Sequence, residues 1–156
     1  MSTPGQRLAE LGLSLPPVAA PLAAYVPAVR QGTQVVTSGQ LPVVAGTLTY
    51  AGKVGAEVSV EQATEAARTA ALNALAAVAS LAGGLDNITR IVKLVIYVAS
   101  APDFTGQPQV GNGASELVAE IFGEAGQHAR SAVGVAVLPL NAPVEIEVTA
   151  EVAVDE

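Results

Sequence analysis

The C-terminal segment, residues 144–155, alternates between apolar and polar side chains along almost its whole length. Because successive side chains of a β-strand point to opposite faces, this period of two predicts a strand with one buried face and one wet face. The apolar set is Val144, Ile146, Val148, Ala150, Val152 and Val154, and the polar set is Glu145, Glu147, Thr149, Glu151 and Asp155. Such a strand needs a second layer over its apolar face, so the chain is expected to form a layered fold that contains a sheet.

The strongest helix signal lies in the middle of the chain. Ser59 and Gln62 form a capping-box pattern, and Gly83 with Gly84 supplies a left-handed stop, so a helix is predicted over residues 59–82. Its buried face is expected to include Ala63, Ala67, Ala70, Leu75, Val78 and Leu81. The many alanines would let this helix lie close to a sheet.

Two further helices are predicted. Thr3, Pro4 and Gln6 indicate a short N-terminal helix that stops by Gly12, and a Pro-rich connection follows over residues 14–21. Asn112 is interpreted as the cap of a helix over residues 113–122, after a loop over residues 103–111. The predicted strands are residues 25–30, 34–38, 48–50, 88–99, 131–138 and 144–155. This order predicts an α+β fold in one domain, residues 1–156, with two main helices on one face of a mixed sheet.

The strand over residues 131–138 separates its side chains by size. Val133, Val135 and Val137 share one face, whereas Arg130, Ala132, Gly134 and Ala136 share the other. We expect the face that carries Arg130 to lie on the carboxylate-bearing side of the sheet, away from the helices. A second subunit packed there would leave pockets where the charges meet.

Composition excludes several classes of function. The net charge of -7 opposes the electrostatic attraction on which nucleic-acid binding depends, so no nucleic-acid partner is expected. The absence of cysteine removes thiolate catalysis and thiolate metal sites, and the single histidine, His128, does not make a metal site by itself. The N-terminus lacks the apolar run of a signal peptide, and no apolar run reaches the roughly 18 residues of a membrane span. We therefore expect a cytoplasmic protein that has no membrane partner.

Four blocks of sequence resemble the RidA-like (YjgF) family, also called endoribonuclease L-PSP, and in particular its longer chorismate-mutase-like subgroup. The most specific block is Ala129-Arg130-Ser131-Ala132-Val133-Gly134-Val135-Ala136-Val137-Leu138-Pro139, followed by Val144-Glu145-Ile146-Glu147. The others are Tyr25-Val26, Thr37-Ser38-Gly39-Gln40-Leu41-Pro42 and Gly84-Leu85-Asp86-Asn87-Ile88. Together they cover the chain from about Tyr25 to Ala153, and residues 1–22 form an N-terminal helix and Pro-rich extension.

The resemblance implies a bacillus-type chorismate-mutase-like fold and a homotrimer with ligand pockets between subunits. In the best-known branch the activity is hydrolysis of enamines and imines from amino-acid metabolism to 2-keto acids and ammonia, without a cofactor. The chain departs from that branch because Ala132 replaces the family cysteine and because the loop over residues 101–111 is longer.

Arg130 and Glu145 are the candidate catalytic residues. A guanidinium binds a carboxylate in a fixed plane, and a carboxylate beside a water molecule can move protons during imine hydrolysis. Proximity to Arg130 is expected to keep Glu145 ionised. The resemblance adds substrate-binding roles for Tyr25, Ser38, Gly39, Ser131, Ala132 and Asn112. A structural role is the alternative for several residues. Arg130 could form a salt bridge, Ser38 and Gly39 could form a turn, and Asn112 could cap a helix. His128 is expected to have a packing or surface role.

Two classes of function remain open. The first is a cofactor-free enamine/imine deaminase. The second is a non-catalytic oligomer that binds small carboxylates such as 2-keto acids and has a regulatory or protective role. Chorismate mutase activity is disfavoured because the five arginines are scattered, and endoribonuclease activity is disfavoured by the acidic net charge.

Overall fold

A computed structural model describes residues 1–20 and 23–155, so the last residue of the predicted Pro-rich connection, Pro21, and Leu22 after it lie outside the described residues. The fold is α+β, with a mixed sheet and helices. Its helices are α1 (Pro4–Glu10), α2 (Val60–Ala82) and α3 (Gln107–Phe122). Its strands are β1 (Ala28–Gln31), β2 (Gln34–Thr37), β3 (Val43–Val44), β4 (Thr47–Leu48), β5 (Ile88–Ala99), β6 (Ala129–Val135) and β7 (Val144–Val152). Short 3₁₀ turns occupy Leu85–Asn87, Gly123–Gly126 and Pro139–Asn141.

Five strands form one sheet in the order β1-β2-β7-β5-β6, and β3 pairs with β4 in a separate hairpin. The β5–β6 pair is parallel, and the other pairs of the main sheet are antiparallel. The strictly alternating segment therefore becomes the central strand, β7, between β2 and β5. Its apolar side chains lie in the core, as the alternation predicts.

Both long helices pack on the same face of the sheet: α2 covers β7 and β2, and α3 covers β5 and β6. The helices approach each other closely at Gly113, where an added Cβ would overlap the backbone carbonyl of Thr64. The alanines of α2 give a smooth surface on which the sheet and α3 can lie. The largest fully buried side chains are Leu75, Ile91, Leu94, Ile96, Leu117 and Ile146.

The predicted helix ends are confirmed at three of the sites. Thr3 with Gln6 and Ser59 with Gln62 form complete capping boxes, and Gly83 closes α2 at a φ of 83°. The prediction that Leu81 belongs to the buried face is wrong, because its side chain is 38% exposed in the last turn of α2.

The helix α3 begins six residues earlier than predicted, at Gln107, with Pro108 in its first turn. The interpretation of Asn112 as a helix cap is therefore wrong, since Asn112 lies inside the helix. The glycines at positions 111 and 113 made this segment look like a loop in the sequence. Both are needed because the helix packs closely there, Gly111 on Ile96 and Arg130 and Gly113 on Thr64. Strand bounds also differ at the ends: β1 begins at Ala28, β6 stops at Val135 and β7 stops at Val152.

The face of the sheet opposite the helices is uncovered in the described chain. It presents Tyr97, Glu145 and Glu147 together with the valines at positions 29, 36, 95, 133 and 135. We call this surface the open face. None of the described helices is long and apolar enough to cross a membrane.

Candidate functional site

Arg130 lies on the edge strand β6 and points toward the helices. In the parallel register Arg130 is beside Leu94, whose side chain is fully buried under the helix layer. Paired residues of neighbouring strands share a face, so Arg130 lies on the helix side. The expectation that it faces the carboxylates on the open side is therefore wrong. It failed because the exposed valines of β6, not its small residues, occupy the open face.

Helix α3 holds the Arg130 guanidinium through three hydrogen bonds. Nη1 donates to Asn112 Oδ1 at 2.9 Å and to Ser115 Oγ at 3.2 Å, and Nη2 donates to the Pro108 carbonyl at 3.1 Å. A guanidinium has five N–H donors. Two donors, on Nε and Nη2, thus remain without a partner among residues 1–20 and 23–155. Among the described residues Arg130 forms no salt bridge, so its alternative role, a salt bridge to Glu145 or Glu147 at a subunit contact, stays a prediction.

Gly111 creates the space in which this guanidinium lies. A Cβ at Gly111 would come within 2.9 Å of Ile96 Cδ1 and 3.2 Å of Arg130 Nη1. Sequence reasoning missed Gly111, Pro108 and Ser115 as parts of the Arg130 environment. A helix that starts at Gln107 would have revealed them, because positions 108, 111, 112 and 115 share one helical face.

Glu145 occupies the open face near the start of β7, beside Tyr97 of β5. Its side chain packs against Gly39 so closely that any Cβ at position 39 would overlap the carboxylate. Partial burial, and then the nearby Glu147 carboxylate, raise the pKa of Glu145 above the ordinary glutamate value. Burial and the same Glu147 carboxylate, which accepts from the Tyr97 hydroxyl at 3.3 Å, raise the pKa of Tyr97.

A cavity of about 890 Å³ opens beside Glu145. Its wall is mostly apolar and combines the N-terminal extension with residues after β2 and from α2. Asn73 of α2 fixes part of this wall, because its buried Nδ2 donates to the carbonyls of Leu41 and Val43 at 3.0 and 2.9 Å. The lining includes Leu13, Pro16, Leu41, Val43, Leu72 and Leu140.

The predicted site residues fall into two groups. Tyr25, Gly39 and Glu145 line the cavity, whereas Arg130 is absent from its described lining. Arg130 and Glu145 lie on opposite faces of the sheet and on strands separated by β5. Within one chain Arg130 therefore lies too far away to act on Glu145, and burial and Glu147 raise the pKa of Glu145 instead. The expectation that Arg130 keeps Glu145 ionised stays a prediction for an assembly of subunits.

The remaining predicted residues have clear positions. Ser38 donates its hydroxyl proton to the Val26 carbonyl at 2.6 Å, a structural contact that joins the end of β2 to the segment before β1. Ser131 lies on the open face of β6 beside Val95, and Ala132 lies on the helix face beside Ile96. Asn112 accepts from Arg130 and thereby joins the arginine site.

His128 is part of a hydrogen-bond network and is partly buried. Its Nε2 lies 2.9 Å from Ser115 Oγ, and its Nδ1 lies 2.6 Å from the Gly126 carbonyl. His128 therefore has a structural role in which it contacts Ser115 and Gly126. Within the described residues no group of three or more His, Asp or Glu side chains is arranged to hold a metal ion.

Comparison with known proteins assigns the family. The model described as "YjgF/chorismate_mutase-like, putative endoribonuclease" matches residues 5–152, nearly the whole chain. The chain belongs to the YjgF/chorismate mutase-like family. The resemblance inferred from the sequence blocks is thereby confirmed.

Similar proteins match most of the length of the chain. Protein TCP17 of Trypanosoma cruzi is 46% identical over 147 residues, which are 92% of this chain and 91% of that protein. The crystal structure of Atu1372 from Agrobacterium tumefaciens, a protein of unknown function, superposes with a TM-score of 0.88 at 46% identity, over 97% of this chain and 93% of that one. Escherichia coli TdcF with bound serine gives a TM-score of 0.63 at 27% identity, over 88% of this chain and 93% of that one.

Proposed function

We propose that the protein is a cofactor-independent deaminase that hydrolyses enamine and imine intermediates of amino-acid metabolism to 2-keto acids and ammonia. In this proposal Arg130 binds the substrate carboxylate, and Glu145 of a neighbouring subunit acts on the attacking water. The observation that carries the proposal is the guanidinium of Arg130, which helix α3 fixes in place while two of its donors remain available.

The donor arrangement suits a carboxylate. Three bonds to α3 fix the plane of the guanidinium, and the remaining donors match the two oxygens that a carboxylate offers. TdcF, a structural relative, has been solved with bound serine, whose carboxylate is of the same chemical class. Serine is also the kind of amino acid from which such imines derive.

A second subunit is required if Arg130 and Glu145 are to act on one substrate, because the sheet separates them within one chain. The open face offers the surface for such an assembly, since Val29 is 58% exposed and Val133 is 46% exposed on an otherwise well-packed fold. We propose a homotrimer in which this face is covered and the cavity beside Glu145 is completed by the Arg130 site of a neighbour.

The environment of Glu145 suits proton transfer. Glu145 takes a proton from the attacking water as the carbon–oxygen bond forms and passes that proton to the imine nitrogen, which gives a carbinolamine. Transfer of the carbinolamine hydroxyl proton to the nitrogen through the same carboxyl group then breaks the carbon–nitrogen bond, so that ammonia leaves and the 2-keto acid remains. Within one chain, burial and Glu147 raise the pKa of Glu145, which makes its carboxylate a stronger base toward the attacking water than an ordinary glutamate.

The test supplies 2-iminobutanoate, generated in place by a threonine dehydratase, and follows its decay with and without the protein. We expect acceleration by the wild type, a loss of at least about 100-fold in kcat/KM for Arg130→Ala, and a loss mainly in kcat for Glu145→Gln. Glu116→Gln, at an exposed position on α3, is the matched carboxylate control and should retain activity.

Two results would contradict the proposal. One is the absence of acceleration by the wild type, and the other is an unchanged rate in Arg130→Ala. Binding of 2-oxobutanoate by the wild type without turnover would instead support the carboxylate-binding, non-catalytic role.

A further inference from the structure

We infer that Ser115 and His128 are positioning residues for Arg130: they form a relay that fixes the guanidinium in the orientation that accepts a carboxylate. This inference rests on the proposed role of Arg130 in carboxylate binding. It concerns two side chains to which the proposed reaction gives no part. Both lie beside the arginine site, Ser115 on α3 and His128 just before β6.

When the His128 imidazole is neutral, its partners allow a single direction of proton donation along the relay. A carbonyl oxygen only accepts, so His128 Nδ1 must carry a proton and donate to the Gly126 carbonyl at 2.6 Å. A guanidinium only donates, so Ser115 Oγ accepts from Arg130 at 3.2 Å. The one hydroxyl proton of Ser115 is then directed to Nε2 of the neutral imidazole at 2.9 Å.

Each atom of this relay thus has a partner of the right kind. The backbone carbonyl of Gly126 fixes the histidine tautomer, the tautomer fixes the direction of the serine hydroxyl, and the hydroxyl presents its lone pairs to Arg130. Asn112 and the Pro108 carbonyl hold the other two donors. Loss of Ser115 would remove one of the three contacts that fix the guanidinium, and loss of His128 would remove the acceptor that directs the Ser115 hydroxyl. Either change would loosen the orientation of the guanidinium while Asn112 and Pro108 still hold it.

The relay also explains why a lone histidine stands two residues before Arg130. Gly126 is buried against α3, since an added Cβ there would lie 2.7 Å from the Val118 carbonyl. Its own carbonyl is therefore held by the packing of the 3₁₀ turn on α3. The turn thus holds His128, His128 orients the Ser115 hydroxyl, and Ser115 accepts from the Arg130 guanidinium.

The first measurement needs no ligand. His128 is the only histidine in the chain, so a ¹⁵N-edited spectrum of its ring shows one set of signals. We expect the Nδ1–H tautomer with Nε2 as an unprotonated acceptor at mildly alkaline pH. A predominant Nε2–H tautomer would overturn the inference without bearing on the proposed deaminase activity.

The second measurement is the affinity for 2-oxobutanoate by calorimetry. Loss of one net hydrogen bond predicts that Ser115→Ala and His128→Leu raise the Kd about 3- to 10-fold. His128→Gln keeps an acceptor for Ser115, and Ser115→Thr keeps the hydroxyl, so both should remain within about twofold of the wild type. Ser80→Ala, which removes a hydroxyl bonded to the Ala77 carbonyl on α2, is the matched control.

The pattern of results separates the relay from the proposed function. If Arg130→Ala abolishes binding but Ser115→Ala and His128→Leu bind normally, the relay is wrong and the carboxylate site stands. If the wild type does not bind 2-oxobutanoate and does not accelerate imine decay, the relay and the proposed function are both wrong.

Thermal stability separates a positioning role from general packing. If all four variants at positions 115 and 128 lose affinity in proportion to a loss of thermal stability, the role is general packing and the inference fails. In the deaminase assay the relay predicts a higher KM with little change in kcat.

Discussion

At the scale of single residues, the site depends on what small side chains permit. Gly39 lets the Glu145 carboxylate pack against the backbone, and Gly111 lets the Arg130 guanidinium lie on α3. A methyl group at position 39 would overlap the Glu145 carboxylate, and one at position 111 would crowd Ile96 and the Arg130 guanidinium. The sequence singled out Gly39 through the family resemblance, but it offered no signal for Gly111 while that segment was interpreted as a loop.

Glu145→Gln is expected to raise the thermal stability of the protein at neutral pH. Burial and Glu147 raise the pKa of Glu145 in the folded chain above its unfolded value. As the pH rises, the unfolded chain loses this proton first. The wild type therefore loses stability between the ordinary glutamate pKa of about 4.3 and the raised folded pKa, whereas the glutamine variant has no such loss.

Thermal melts over this pH window check the sign of the effect. The two proteins should have equal stability at the acid end, where Glu145 is protonated in both states, and should diverge as the pH rises. Glu116→Gln, which alters an exposed glutamate, should show no such divergence. A stability difference that is constant with pH would contradict the burial argument.

Gly111→Ala is expected to weaken carboxylate binding while leaving stability nearly unchanged. Alanine is favoured over glycine in a helix by about 0.5–1 kcal/mol, which offsets the displacement of the flexible ends of Ile96 and Arg130. Calorimetry should show a Kd for 2-oxobutanoate raised about 3- to 10-fold, the effect of losing one hydrogen bond. Normal affinity would mean that the guanidinium does not depend on this space.

At the scale of secondary structure, the decisive contact is the crossing of α2 and α3. The capping boxes and the glycine stop set the length of α2 from local signals. Its position is set by tertiary packing, because the alanine face of α2 contacts both the sheet and α3. The same packing places Asn112 and Ser115 of α3 beside Arg130.

Gly113→Ala is expected to lower the free energy of unfolding by about 1–3 kcal/mol, the usual cost of overpacking a core contact. An added Cβ would overlap the Thr64 carbonyl, which is backbone and cannot turn away as a side chain can. Urea unfolding measures the change. Gly111→Ala is the matched control on the same helix, and equal stability of the two variants would contradict the close crossing.

At the scale of the whole molecule, the two halves of the proposed site face away from each other. The helix layer carries the Arg130 site, and the open face carries Glu145. One chain has therefore all the residues of the proposed reaction but does not bring them together. The exposed valines of the open face indicate where a second copy would pack.

Val133→Asp is expected to dissociate the proposed trimer, because it would bury a carboxylate among the valines of the open face. Sedimentation velocity should show a trimer for the wild type and monomer for the variant, with similar far-ultraviolet circular dichroism. Val154→Asp, at a position that is 75% exposed beyond β7, is the control and should remain trimeric. A wild-type monomer would contradict the assembly.

The sequence by itself determined the α+β class, the family, the limits of α2 and the alternating central strand. The limits of α2 and the central strand rest on local physics: capping, left-handed glycine and the period of two in a strand. The family rests instead on the resemblance of the sequence blocks. It also singled out Arg130 and Glu145 as the candidate catalytic pair.

Only the tertiary structure decided on which face each charge lies. Alternation shows that Arg130 and Val133 point in opposite directions, but it does not show which direction is covered, because that depends on the strand paired with β6 and the helix above it. The register beside buried Leu94 places Arg130 under α3. The network of Ser115 and His128 follows from the same packing, which joins residues from two separate elements.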